Sequence, residues 1–313
     1  MRILVDSGHS YPARAHPVAH GGLASARITD VLVKGLAELG HEVFYQVNLD
    51  REPLPQGAQW VDKEPANIDV AHRQVGLETR KADYPGPWVR TCHTDLQARG
   101  IDRGIAESNW IYCSHTLAMT YKSPRCVVNG IDPAEFIFSE TKQDYFLFVA
   151  CLDRAWEKGL DVAVSLARCI GFKLLVAGSA AQPGVIAQIE EMCAGADIEL
   201  IGDVQGERRA QVFAEARALL FPTQLNEAFG TVMSECMMSG TPIIASHHGV
   251  CPEIVTPDTG FVCATSEDYL AAFEKIHTIR PAACRERALR EYHYLRMARD
   301  YVTQYEQEIA FQA

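Results

Sequence analysis

Apolar positions along the chain fall into two successive series in which short β runs alternate with helical stripes. Arg2–Val5 is an apolar run closed by Asp6-Ser7-Gly8. After a loop, Ile28, Val31, Leu32, Leu36 and Leu39 recur at helical spacing. Gly40 stops that stripe, and Val43–Val47 reads as the next strand. Strand, loop, helix, strand is a βαβ unit, which implies a parallel sheet. The following stretch is less regular. Residues 50–69 read as largely loop, and Asp69–Val70, Trp88–Cys92 and Trp110–Cys113 are short strand candidates. Asn129-Gly130-Ile131-Asp132-Pro133 is a turn, and the polar run Ser139–Asp144 reads as a linker. The second series places strands at Tyr145–Val149, Lys173–Ala177, Ile198–Ile201, Ala218–Phe221, Pro242–Ala245 and Gly260–Cys263, with helical segments such as Asp161–Cys169 and Arg208–Arg217 between them. From Pro281 onward there is no strand signal. Tyr294, Met297, Tyr301 and Tyr305 recur at helical spacing, the mark of a helix laid on a domain face. The pattern predicts an α/β protein with two Rossmann-like parallel-sheet domains, residues 1–140 and 141–284, and a C-terminal helical segment, 285–313, that packs back toward the first domain. Ligands of open α/β sheets bind beyond the carboxyl ends of the strands, so the expected site is the cleft between the two domains.

Length and composition agree with this division. A chain of 313 residues suits two ordinary cores, and 48% hydrophobic with 22% charged residues excludes a disordered or collagen-like polymer. The apolar runs, such as Tyr145–Cys151, fall far short of the ~20 residues of a membrane span. No basic segment precedes an apolar one at the start, so no secretory signal is expected. A net charge of −11 argues against a generally basic grip on nucleic acid. No two of the ten cysteines form CxxC, and most lie in apolar stretches, such as Cys169 and Cys263. They read as buried reduced thiols of a cytoplasmic protein.

The chemistry concentrates in Asn226-Glu227-Ala228-Phe229-Gly230-Thr231-Val232-Met233-Ser234-Glu235 and the Ser239-Gly240-Thr241-Pro242 that follows. Glu227 sits in the loop after a strand, and Gly230 turns the backbone into a helix over roughly Thr231–Met238. The N–H groups of Gly230, Thr231 and Val232 are placed to hold an anion with the help of the helix dipole. Carboxylates beside an anion site repel the anion, so Glu227 and Glu235 are fitted to bind hydroxyls, as sugars and ribose present them.

This segment resembles the E-x7-E signature of retaining glycosyltransferases of the GT-B fold, family 4, with Glu227 and Glu235 as the pair. Other segments agree in order. Cys151 to Leu160, containing Arg154 and Lys158, is similar to the family's strand-loop-R-x3-KG element. Strand ends at Gly178 and at Gly202-Asp203-Val204 match the positions that line the nucleotide. His20-Gly21-Gly22-Leu23 resembles the glycine loop of the first domain, His93 the strand-end histidine near the donor sugar, and Ser114-His115 a later strand end. The resemblance implies transfer of a sugar, with retention and without a metal, from a UDP-, GDP- or ADP-sugar to an acceptor hydroxyl on a sugar, lipid-linked glycan, small molecule or, less readily, nucleic acid. It makes the first domain the acceptor domain and the second the donor domain. It assigns Glu235 to the ribose and Glu227 to the sugar hydroxyls. Arg154 and Lys158 fall on the diphosphate, where fixed cations favour a leaving group that gains charge. Phe229, Gly230, Thr231, Gly178, Gly202, Val204, Gly21 and Gly22 complete the donor contacts, with His93 beside the sugar. No cofactor is required, and the co-substrate is the nucleotide sugar itself. The loop Asp6–His20, with His9, Arg14 and His16, is a candidate acceptor contact.

Other chemistries find no motif: GxxxxGK[ST], HExxH, GxSxG, GxGxxG and DxD are all absent. His247-His248 precede Gly249, and on extended backbone two adjacent side chains point apart, which disfavours joint ligation of one metal. The alternative functional class is a non-catalytic nucleotide-sugar binding protein, or an inactive partner subunit.

Overall fold

The computed structural model describes residues 1–7, 23–46, 54–74, 85–97, 100–101, 104 and 106–312. The chain divides into two units. The first ends at Ile131 and is completed by Glu291–Ala313, and the second holds Asp132–Arg290.

The first unit runs β1 (Arg2–Asp6), α1 (Leu23–Glu38), β2 (Glu42–Gln46), β3 (Ala58–Val61), β4 (Val70–Arg73), β5 (Trp88–Cys92), β6 (Trp110–Tyr112) and α2 (His115–Thr120). Its six strands lie in the order β3-β2-β1-β4-β5-β6. The pairs are parallel, with Val5 opposite Tyr45 on one side and His72 on the other. The apolar stripe of α1 is buried, with Ile28 at 1% exposure and Leu32 and Leu36 at 0%. β3 falls where the sequence reads as loop. It has no apolar run of its own and is held by pairing with β2 and by Trp60 stacking on Tyr45 at 4.8 Å between ring centroids. Cys126, ahead of the Asn129-Gly130 turn, makes a single isolated bridge to Tyr112 at the edge of β6.

The second unit runs β7 (Phe146–Val149), α3 (Leu160–Ile170), β8 (Leu174–Ala177), α4 (Val185–Cys193), β9 (Ile198–Gly202), α5 (Gly206–Glu215), β10 (Ala218–Phe221), α6 (Thr231–Met238), β11 (Ile243–Ser246), α7 (Cys251–Ile254), β12 (Gly260–Cys263), α8 (Ser266–Lys275) and α9 (Pro281–Glu291), whose last residue passes to the first unit. Its sheet order, β12-β11-β10-β7-β8-β9, is the same doubly wound order as in the first unit. β10 and β11 are buried along their whole length, as expected of central parallel strands. One apolar core joins Phe146, Phe148, Leu160, Val164 and Val176 to Tyr269 and Phe273 of α8. All ten cysteines are free thiols. Cys169 is exposed rather than buried, because it lies on the outer side of α3, whose inward residues are Leu160, Ala163, Val164, Leu166 and Ala167.

After α9 the chain re-enters the first unit, and Ile131 bridges His293. The last helix, α10 (Tyr294–Gln312), buries Tyr294, Met297, Tyr301 and Tyr305, the four residues of the predicted stripe. The Asn129-Gly130 turn serves this docking, since the Gly130 N–H donates to Met297 Sδ at 3.0 Å. Deeper in, Tyr305 Oη is 2.6 Å from His72 Nδ1, His72 Nε2 is 2.7 Å from Thr91 Oγ1, and Thr91 Oγ1 is 2.7 Å from Tyr301 Oη. These buried polar atoms therefore satisfy one another across β4, β5 and α10.

Candidate active site

In a doubly wound sheet the ligand crevice lies at the carboxyl ends of the strands where the order reverses. In the second unit those strands are β7 and β10, which are neighbours. The loop after β7 carries Lys158 and the loop after β10 carries Glu227, and the two side chains form an ion pair. Backbone contacts bring them together. Gln224 N–H donates to the Glu157 carbonyl at 2.9 Å. Gly159 lies against Pro222, where a Cβ would stand 2.0 Å from the Pro222 carbonyl oxygen, so the turn closes only on glycine. Lys158 is thereby held between two fixed points. Its side chain is 20% exposed and that of Glu227 13%, so the pair is largely shielded from water.

The Glu227 loop is braced from beneath. Thr223, fully buried, donates from Oγ1 to Glu227 Oε1 at 3.3 Å, and its carbonyl accepts from Ser246 Oγ at 2.6 Å. Val250 N–H donates to the Glu227 carbonyl at 3.1 Å. Gly249 takes φ +56°, and a Cβ there would fall 2.4 Å from the Glu227 nitrogen. Thr223 and Gly249 escape sequence reasoning, because their roles depend on β10 and β11 lying side by side.

α6 begins beside this pair. Its N-cap, Gly230, lies at φ 67°, ψ 58°, no side chain caps the first turn, and no acid lies in it. Phe229 is 4% exposed. The first-turn N–H groups, from Thr231 on, together with the positive end of the dipole, make the start of α6 suited to an anion. Glu235, one turn further, is 4% exposed and pairs with Arg209 of α5.

The structure separates the two cations that the sequence puts together. Lys158 reaches Glu227, whereas Arg154 pairs with Glu157 at 2.6 Å, both side chains at about half exposure. At the neighbouring strand ends, Gly178 N–H donates to the Gly202 carbonyl at 2.9 Å, and Val204 is buried beyond them. Asp153, in the β7 loop, accepts from the amides of Ala181 and Gln182 at 2.8 and 2.9 Å, which holds its carboxyl below the usual carboxylate range.

In the first unit, His93 follows directly on β5, and its Nε2 lies 2.5 Å from Oε1 of Gln74. Gln74 is fully buried, and its Nε2 has no hydrogen-bond partner among the described residues. Ser114 caps α2 by accepting from the Leu117 N–H at 3.1 Å, a structural duty, and His115 is the first residue of that helix. Gly21, Gly22, His9, Arg14 and His16 lie outside the described residues. The rings of His247 and His248 do not point apart as expected: their centroids are 4.2 Å apart at 34°, because this segment turns into Gly249 rather than running extended. Among the described residues no group of three or more His, Cys, Asp and Glu side chains could hold a metal ion, and no helix is long and apolar enough to cross a membrane.

Two parallel sheets of the same doubly wound order, with charged side chains gathered at the switch point of the second, define a protein of the GT-B class. Residues 134–292, about half of the chain, match the family model of glycosyl transferases group 1, and the chain belongs to that family. It is also similar to the sulfoquinovosyl transferase SQD2 of Arabidopsis thaliana, 31% identical over 78 residues. That match takes in 24% of this chain and 15% of the relative, well under two thirds of the relative's length. Among solved structures, AviGT4, a glycosyltransferase involved in Avilamycin A biosynthesis, has a TM-score of 0.77 at 23% identity, covering 99% of this chain and 98% of that one. Sucrose-phosphate synthase from Thermosynechococcus elongatus has a TM-score of 0.72 at 17% identity, with 99% of both chains covered. HepE from Anabaena, in complex with UDP and glucose, has a TM-score of 0.69 at 12% identity, covering 98% of this chain and 100% of that one. At these identities the likeness is one of fold.

Proposed function

We propose that the protein is a retaining glycosyltransferase that moves a sugar from a nucleotide diphosphate sugar to an acceptor hydroxyl and needs no metal. The observation that carries this reading is the Lys158–Glu227 pair at the β7/β10 switch point, set beside the uncapped first turn of α6. That first turn and Lys158 take the diphosphate, with Arg154 turning from Glu157 to join them. As the bond from anomeric carbon to phosphate oxygen breaks, negative charge grows on the phosphate, and cations already in place favour that state over the ground state. Lys158 and Arg154 with the helix start thus do what a divalent ion would otherwise do. Glu227 accepts hydrogen bonds from sugar hydroxyls and Glu235 from the ribose. The departing phosphate oxygen takes the proton of the acceptor hydroxyl on the face it leaves. That keeps the configuration and leaves no protein base to be named.

The base is one of uracil, guanine and adenine. HepE, of the same fold, holds UDP and glucose, which supports a nucleotide-sugar donor without choosing the base here. His93, Gly21 and Gly22 are assigned to the sugar side and the acceptor to the first unit, on the family resemblance.

The test is a thermal-shift panel of UDP, GDP, ADP and their sugars in EDTA, on wild type and Glu235→Ala, followed by NMR of any transferred product. A nucleotide at ~100 times its dissociation constant adds about 2.7 kcal/mol of stability. Selective stabilisation by one nucleotide, weakened in the variant, with a product of retained configuration, is the expected result. A product of inverted configuration, or turnover only with added divalent metal, overturns the mechanism. Stoichiometric donor binding with no turnover over a broad acceptor set would make the protein a non-catalytic nucleotide-sugar binder.

A further inference from the structure

Glu235 is 4% exposed, yet its carboxylate is not alone: Nη2 of Arg209 binds its Oε2. Arg209 itself packs against two aromatic rings. Its guanidinium carbon lies 4.6 Å from the ring centroid of Phe213, one turn later on α5, and 5.4 Å from that of Phe136, which follows the Pro133–Glu135 turn at the start of the unit. Phe213 is fully buried and Phe136 is 6% exposed. A planar guanidinium packed against two rings can aim its N–H groups in few directions. The carboxylate it binds is then anchored through its Oε2.

We infer that Arg209 is the positioning residue for Glu235, and that the pair makes the protein discriminate ribose from 2′-deoxyribose nucleotides. The inference rests on the proposed nucleotide site, because it needs Glu235 to face a ribose. The physical reason lies in the ligand. A ribose offers two vicinal hydroxyls at a fixed spacing and angle, and a 2′-deoxyribose offers one. A carboxylate anchored at Oε2 by a guanidinium of restricted orientation presents its remaining lone pairs to that diol in few orientations. One that can rotate accepts a single hydroxyl nearly as well as two. A lysine at position 209 would supply the charge without the plane or the stacking.

The experiment is isothermal titration of UDP, GDP and ADP, each against its 2′-deoxy counterpart, into wild type, Arg209→Lys, Arg209→Ala and Glu235→Ala, with circular dichroism to check folding. Wild type is expected to bind the ribose form of one nucleotide roughly tenfold or more tightly than the deoxy form, the size of a hydrogen bond to a charged group. In Arg209→Lys that ratio falls toward unity while affinity for the deoxy form is held, and Glu235→Ala gives the same loss. A merely structural role for Arg209 would lower both affinities together and leave the ratio intact. Should Arg209→Ala fail to fold, Arg209→Lys, which keeps the charge beside Glu235, decides. A folded Arg209 variant with the full ribose preference overturns the inference and leaves the nucleotide site standing. A wild type that binds no nucleotide, or binds both forms equally, overturns the assignment of Glu235 to the ribose and the inference with it.

Discussion

The Cα of Gly249 packs directly against the backbone of Glu227: a Cβ at position 249 would lie 2.4 Å from the Glu227 nitrogen, and Gly249 holds φ at +56°. The loop that presents the carboxylate thus rests on a residue that must have no side chain. Gly249→Ala adds an unfavourable left-handed backbone, about 1–2 kcal/mol, to a contact that only movement of the Glu227 loop can relieve. We expect the variant to fold with a lowered Tm and to lose donor binding. Wild-type donor affinity in Gly249→Ala would show that the loop can move without harm and that the close packing has no functional weight.

Lys158 and Glu227 are joined in an ion pair largely shielded from water. Lys158→Met removes the cation proposed to take the diphosphate and leaves Glu227 largely buried without it. Transfer is expected to fall by ~10²–10³, the scale of losing one preorganised group that stabilises developing charge. Glu227→Gln should cost a similar factor. Because the residues share one interaction, the double variant should be little worse than the poorer single one. Rate losses that multiply in the double variant would show the two side chains acting independently.

Tyr305 Oη satisfies the buried Nδ1 of His72 at 2.6 Å. Tyr305→Phe keeps the ring and removes the partner, which leaves a buried polar atom unpaired at a cost of about 1–3 kcal/mol. The loss should appear in chemical denaturation of the first unit, while nucleotide affinity, assigned to the second, stays unchanged. A neutral effect on stability would mean that the imidazole finds another partner when the hydroxyl is gone.

What the sequence reveals, and what it conceals, follows the range of the forces involved. The buried stripe of α1, the apolar strands β10 and β11 and the tyrosine stripe of α10 are local periodicities and are legible one residue at a time. β3 is not, because its residues become a strand only when Tyr45 and Trp60 stack across the pair. At the site, residue types are legible and partners are not. Arg154 and Lys158 look alike in the chain, and the contact of Gly159 with Pro222, 63 positions away, sends Lys158 rather than Arg154 to Glu227. Arg209 carries one local signal, a phenylalanine four residues later on the same helical face. Nothing nearby in sequence indicates that Glu235 of another helix would meet it.

His72 carries a pH dependence whose sign can be worked out. It is fully buried between Thr91 and Tyr305, and burial, reinforced by the nearby His93, pushes its pKa from 6.5 down to about 3. In the unfolded chain it titrates at the ordinary histidine value, so between these two limits the unfolded state binds more protons. Its contribution to stability is therefore complete above pH ~6.5 and is lost as the pH falls toward ~3, by up to ~1.4 kcal/mol per pH unit. Between pH 7 and pH 5 that amounts to about 2 kcal/mol. In His72→Gln, which keeps a hydrogen-bonding side chain but cannot titrate, the fall in unfolding free energy over this interval should be smaller than in wild type by about that amount. Carboxylates titrate identically in both proteins, so the difference isolates the imidazole. Equal pH slopes for the two would mean that His72 accepts a proton in the folded state, and that the buried chain from Tyr305 through Thr91 to Tyr301 can accommodate an imidazolium.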